Sequence, residues 1–315
     1  MQLFGRYIEV SIYTSDVQEG QLNEGALITI NSKALHINFD VEKTTGDENN
    51  KGEVSVYNLS QDVIDLIKTS RPATLVLSAG YQDKDSINNI YTGEILEVKV
   101  DREGGDVKTT MTLATSLSST RMLAKSKAWG NNTSLREVID YVVTHISGAT
   151  LRQPTRYKNH IWKRGVTISG NPLESLKKIV KNLGMVMTIN DNEIDIYVAG
   201  QDLSFEVVVL NNNTGLVGIP DAIADVNEGQ TIPDATQQST DDPSQLNGDN
   251  KTIISDGYTV KSLLNSKLVP NARISLTSDK VKAENSLMTV DSVRHYGSNY
   301  ENDFYSEITV YEDEV

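Results

Sequence analysis

Four histidines, two tryptophans and 43 carboxylates are the side chains of this 315-residue sequence with the most chemistry to offer. His36, His145, His160 and His295 fall in no HExxH or comparable ligand spacing, so the pattern assigns no metal site. His36 lies on the polar phase of a strand pattern and His145 near the end of a helical one, where a cation is mildly favoured. All four read as ordinary surface or satisfied histidines. No GxSxG turn, P-loop or GxGxxG run occurs, so neither a serine nucleophile nor a phosphate cradle is indicated. Cysteine is absent, which removes disulfides, thiolate zinc sites and cysteine nucleophiles together and suits a reducing cytoplasm. Paired-carboxylate hydrolysis stays open in principle, but acids on alternating solvent phases are usually only solvated. The sequence therefore assigns no catalytic, cofactor-binding or metal-ligating residue, and the chain reads as a non-enzyme.

The aromatic side chains leave a binding role open. Thirteen tyrosines could offer stacking faces to a glycan or pack in an interface between subunits, and only Trp129 and Trp162 bring the larger ring. Trp162 stands between His160, Lys163 and Arg164, either as an anchor for a partner surface or as a half-buried core residue. The formal net charge of −14 argues against gripping a nucleic-acid backbone. It fits either a conduit wall that repels phosphate over about 8 Å or plain solubility. No signal-peptide pattern and no run of eighteen apolar residues occurs, so the expectation is a protein made where it is used, without a membrane role.

The elements that would carry these residues are mostly strands. Leu35, Ile37, Phe39 and Val41 alternate with His36, Asn38, Asp40 and Glu42, the period of two expected of a half-buried strand. Similar runs stand at 7–13, 27–30, 53–57, 74–81, 90–100 and 107–115, with Gly104 and Gly105 at the last hairpin, and a short helix at 61–69 behind a Ser60 cap. After residue 130 the period changes. Leu135, Val138, Ile139, Val142 and Ile146 form a helical stripe opened by Ser134 and Glu137 as a capping box. A second helix opens at Asn171 and Pro172, buries Leu173, Leu176, Ile179, Val180 and Leu183, and stops at Gly184. A hairpin of 185–189 and 193–198 follows.

Strands return at 203–210, 258–260, 273–277, 287–296 and 304–311. Between them residues 221–256 carry eight acids against Lys251 alone, with Pro233 and Pro243, and read as a mobile acidic loop. That loop is either a docking arm or a tolerated solvated insertion. The fold class expected is mainly β with an α+β insertion: two tube-like antiparallel β-barrel domains at 1–118 and 201–315 flank a small helix-plus-hairpin module at 130–200.

Several runs carry a family resemblance. DGYTVKSLLN at 256–265, LVPNARI at 268–274 and MTVDSVRHYGSN at 288–299, with its V-x-H-x-G spacing at 293–297, resemble the closing barrel of phage tail baseplate hub proteins of the late-control protein D type. DVEK at 40–43 and EVSVYNLS at 53–60 resemble the opening barrel of the same family, and SGNPLESL at 169–176 its helix-plus-hairpin insertion. The order and spacing of the runs, nearly end to end, carry the resemblance; each alone is ordinary β-protein grammar. The acidic loop departs from it by its length.

The resemblance implies a structural virion protein of the tail baseplate, assembled in the host cytoplasm, in a contractile-tailed phage or related injection system. It implies a homotrimeric ring that adapts a sixfold tail tube to a threefold central spike around the DNA or effector channel. The implied partners are tube or tube-initiator proteins on one face and the spike on the other, with wedge and tape-measure proteins beside them, while DNA passes without specific binding. Two similar barrels in each of three chains would give six similar surfaces, and free strand edges would serve the ring contacts. The rival reading is a β-rich receptor- or carbohydrate-binding module of a tail particle.

Overall fold

The structure is a computed structural model that describes residues 5–14, 28–45, 50–70, 72–81, 87–115, 123–146, 149–153, 155, 157–191, 193–198, 207–226, 254–278 and 283–312. The first part holds strands β1 (Arg6–Thr14), β2 (Ile28–Asn31), β3 (Ile37–Thr44) and β4 (Lys51–Tyr57), helix α1 (Gln61–Thr69), then β5 (Ala73–Tyr81), β6 (Asn88–Glu103) and β7 (Asp106–Thr115). The middle part comprises β8 (Lys125–Trp129), β9 (Thr133–Ser134), α2 (Leu135–Thr144), β10 (Thr150–Leu151), β11 (Ile161–Trp162), β12 (Val166–Gly170), α3 (Pro172–Asn182), β13 (Met185–Asn190) and β14 (Glu193–Val198). The last part is β15 (Val208–Leu210), β16 (Leu216–Val226), β17 (Ile254–Leu263), β18 (Arg273–Ser278), β19 (Ala283–Ser298) and β20 (Phe304–Glu312).

Local signals in the sequence account for the helices. Ser60, Ser134 and Asn171 each sit in extended backbone and accept from the amide N–H groups that the first helical turn leaves free. Pro172 occupies the first turn, where it sacrifices no hydrogen bond, and Gly184 takes φ +63° beyond the end of α3.

The strands of the first and last parts pair in one 13-stranded sheet, ordered β16-β17-β20-β19-β3-β4-β7-β6-β5-β1-β2, with β18 pairing β19 and β15 pairing β18. The pairs are antiparallel except β15 with β18. Continuity comes from β19, which changes neighbour along its length. Its start pairs β18 (Arg273↔Thr289) and its end pairs β3 (Ser292↔Thr44 to Ser298↔Asn38), with an irregularity between Val290 and Ser292. The fold is mainly β with an α+β insertion, as expected; among the described residues no ring of strand pairs closes into a barrel, and the ladder runs across both β parts. Two hydrophobic clusters pack on it, the first of them including Leu264 and Phe304 of the last part, and another fills the middle part.

The expected acidic loop at 221–256 is strand at both ends. Residues 221–226 belong to β16 and 254–256 to β17, while 227–253 lie outside the described residues. Asp221, expected in the loop, sits with Gly218 and Pro220 in an edge strand, where a bulge between Val217 and Asp221 and Gly218 at φ +77° accommodate them. The expected strand at 203–210 is seen as β15; its residues 203–206 lie outside the described ones.

Tyr91, fully buried on β6, covers two glycines of the sheet interior, Gly52 and Gly93. A Cβ on Gly93 would stand 2.6 Å from the Tyr91 ring and 2.7 Å from the Ala114 carbonyl oxygen, and the latter is backbone that cannot step aside. Gly93→Ala is therefore expected to destabilise the chain by about 1–3 kcal/mol, as overpacking does, read from its denaturant midpoint; an unchanged midpoint refutes this packing.

Candidate functional site

Period-two alternation carries β3 into the core through Ile37, Phe39 and Val41, and the next inward position is Lys43. A lysine buried to 2% exposure needs an anion. Asp191, at the tip of the β13–β14 hairpin in the middle part, supplies it at 2.8 Å. The other carboxylate oxygen of Asp191 accepts from the Thr92 amide at 2.8 Å, so one hairpin tip joins β3 and β6. Around it the Asn50 amide donates to the Ile189 carbonyl (3.2 Å), and the Tyr91 hydroxyl donates to the Asn50 carbonyl (3.0 Å). On the side of the last part, Asn271 donates to Thr188 Oγ1 (3.1 Å) and accepts from the Tyr197 hydroxyl (3.0 Å). Asp191 and Asn271 both hold positive φ, a conformation their short polar side chains tolerate.

The tip of the β19–β20 hairpin is held by the first part. Arg6 donates to the carbonyls of Ser298 (2.9 Å), Asn302 (2.7 Å) and Asp303 (3.1 Å), contacts that of Glu301, and stacks its guanidinium over Phe304. Asn299 donates to the carbonyls of Ser32 (2.9 Å) and Leu35 (3.0 Å) and accepts from the Ile37 amide (2.9 Å). On the outer face of the same seam, Arg294 of β19 forks onto Asp40 of β3 at 2.8 and 2.5 Å. That hydrogen-bonded pairing pushes the arginine further toward its charged form.

The four histidines lie in four separate places. His36 stacks on Tyr57 (4.4 Å between centroids) with Nε2 3.0 Å from Ser298 Oγ. His145 caps α2, its Nδ1 2.8 Å from the Tyr141 carbonyl, and His160 meets Trp162 edge-on at 4.9 Å. His295 is completely buried, Nδ1 2.8 Å from Ser306 Oγ; burial first, and the Lys43 charge second, push it down to about 3. Among the described residues no group of three or more histidines or acids is placed to hold a metal ion. Trp129 is buried in the middle core, edge-on to Tyr141, and the half-buried Trp162 packs against that core while lining an open groove beside α3. The arrangement is a set of joints that fix three parts to one another. Sequence reasoning missed the central one; its signal was Lys43 standing on the apolar phase of β3.

Solved structures of tail proteins share this architecture. The tail protein from Neisseria meningitidis MC58 superposes with a TM-score of 0.60 at 11% identity, over 97% of each chain. The c3393 protein of E. coli, a type VI secretion component described as structurally similar to the T4 phage tail proteins gp27 and gp5, gives 0.57 at 8% identity over 96% of this chain and 76% of its own. The Francisella PdpA–VgrG complex gives 0.62 at 10% identity over 98% of this chain and 58% of the matched one. At such identities the likeness is one of fold. No curated protein sequence matches the chain. The fold is thus one that solved phage tail proteins share. The model of the family described as baseplate hub gp41 matches residues 20–225, and the chain belongs to that family.

Two outcomes follow from the joints. Lys43→Met strands Asp191 and is expected to cost about 2–3 kcal/mol, less than for a fully enclosed pair because Asp191 keeps 23% exposure. Lys43→Met/Asp191→Asn, which preserves the left-handed turn, is expected to lose less than the two single changes summed; strict additivity in a double-mutant cycle refutes the pair.

His295 titrates near 6.5 in the unfolded chain and at about 3 when folded, so its contribution is complete above the first value. Below it the unfolded chain takes up a proton that the folded one refuses, and stability falls by roughly 1.4 kcal/mol per pH unit. Urea midpoints measured between pH ~7 and ~5, above most carboxylate titration, are expected to fall in the wild type and to stay flatter in His295→Gln. Equal slopes refute it.

Proposed function

We propose that three copies of the chain form a ring that joins a sixfold tail tube to a threefold central spike. The observation that carries this reading, beside family membership, is the β3–β19 seam, which welds two β parts of one chain into a single sheet. Closed interfaces of different symmetry need matching elements. Three chains with two β parts each supply six surfaces on a threefold body. One ring face then receives the tube or its initiator and the other the spike, with wedge and tape-measure proteins at the periphery, and an acidic wall lets DNA pass without retention. We assign the parts as a first β domain at 1–118, a helix-plus-hairpin module at 130–200 together with β8, and a second β domain at 201–315. Assembly takes place in the host cytoplasm, and the mature location is the tail baseplate of the virion.

Light scattering on the purified protein is expected to give three times the 34.7 kDa chain mass, and particle images an annulus with threefold symmetry. A monomer at all accessible concentrations, or a particle with no central opening, overturns the ring.

A further inference from the structure

Charge is divided unevenly along the chain. Residues 125–198 carry eleven Lys and Arg against six Asp and Glu, a net of +5 in a protein of −14, which leaves −19 on the rest. The basic part also holds an open groove of ≈ 320 Å³ between β12 and α3. Trp162, Ile168, Ile179 and Leu183 give it apolar lining, Lys178 stands exposed on its wall, and Lys163 and Arg164 are exposed in the turn joining Trp162 to Val166.

The opposite character appears on the outward face of the main sheet. Asp40 pairs in register with Glu53, Glu53 with Thr112, and Thr112 with Glu97, so three carboxylates lie in one row across β3, β4, β7 and β6. Like charges directly opposed across strands destabilise a sheet. Arg294 pairs with Asp40, and Lys99, two residues beyond Glu97 on the same face and bound first to Asp101, lies within electrostatic reach of Glu97 and Glu53, so the row keeps a net negative charge. At the end of the row the bulge between Ile95 and Glu97 pushes Leu96 out to 47% exposure, an apolar knob beside the acids.

A closed ring of identical chains in which the contacts are head to tail needs two different, complementary patches on each chain. We infer that the groove beside α3 receives the acidic row of the next copy, with Leu96 seated on the Trp162 end and Lys163 and Lys178 facing Glu53 and Glu97. This contact rests on the ring reading of the preceding subsection and names the surfaces through which the ring closes. Its charged rim makes assembly sensitive to salt.

The test compares the wild type, Lys163→Glu/Lys178→Glu, and that variant combined with Glu53→Lys/Glu97→Lys, by mass photometry over a concentration series. All four positions are exposed, and far-UV circular dichroism checks the fold. The groove variant is expected to raise the half-assembly concentration roughly tenfold or more, and the charge swap to bring it back to within about threefold of wild type. A wild-type ring that the groove variant leaves unchanged overturns this contact while the ring stands. A weakened ring that the swap does not restore overturns the acidic row as its occupant. A wild type that stays monomeric removes the ring and the contact together. Binding of a DNA duplex that disappears in the groove variant assigns the groove to phosphate and overturns the inference.

Discussion

The ammonium of Lys43 is the constraint around which the structure is arranged. A cation at that depth is tolerable only with a carboxylate in contact and its surroundings hydrogen-bonded, so the hairpin of the middle part has one seat available on the sheet. Asp191 fills the seat and also accepts from the Thr92 amide, while Asn50 and Tyr91 hydrogen-bond the hairpin and sheet beside it. Buried ion pairs contribute little net stability compared with an apolar filling, but they discriminate strongly against misplacement, because a shifted hairpin leaves a charge stranded. His295 belongs to the same arrangement. Val41 and Lys43 lie opposite His295 and Val293 in register, so two basic side chains face inward side by side, and only the one with a carboxylate carries charge.

With the hairpin seated, the remaining joints become consistent with one another. The β3–β19 ladder, the Arg6 grip on the β19–β20 tip and the Asn271 contacts all cross between parts far apart in sequence. Polar groups satisfied inside the protein supply directionality that apolar packing alone does not.

Most of the element map was legible in the chain because it depends on local rules. The cap residues Ser60, Ser134 and Asn171, the stop at Gly184 and the alternation along β3 are visible in short windows, and the structure places them accordingly. Family membership was legible too, through the order of several weak runs. What escaped were features set by partners distant in sequence. Lys43 stands on the apolar phase of β3, but nothing in the chain says which anion meets it until Asp191, 148 residues away, is beside it. The edge strand β16 looks like the start of a loop because Gly218, Pro220 and Asp221 obey loop statistics, and only β17 on one side makes it a strand. The continuity of the sheet was equally hidden, since β19 changes partner in mid-strand and no local pattern records which neighbour it takes.

The irregular stretch of β16 has a consequence for how the protein behaves before it reaches its particle. β16 ends the row of strands, where unsatisfied amides and carbonyls would otherwise template fibrous stacking of freshly made copies. Pro220 offers no N–H, and the kink around Gly218 breaks the straight run that such templating requires. That rim is thereby a poor template for self-propagating growth.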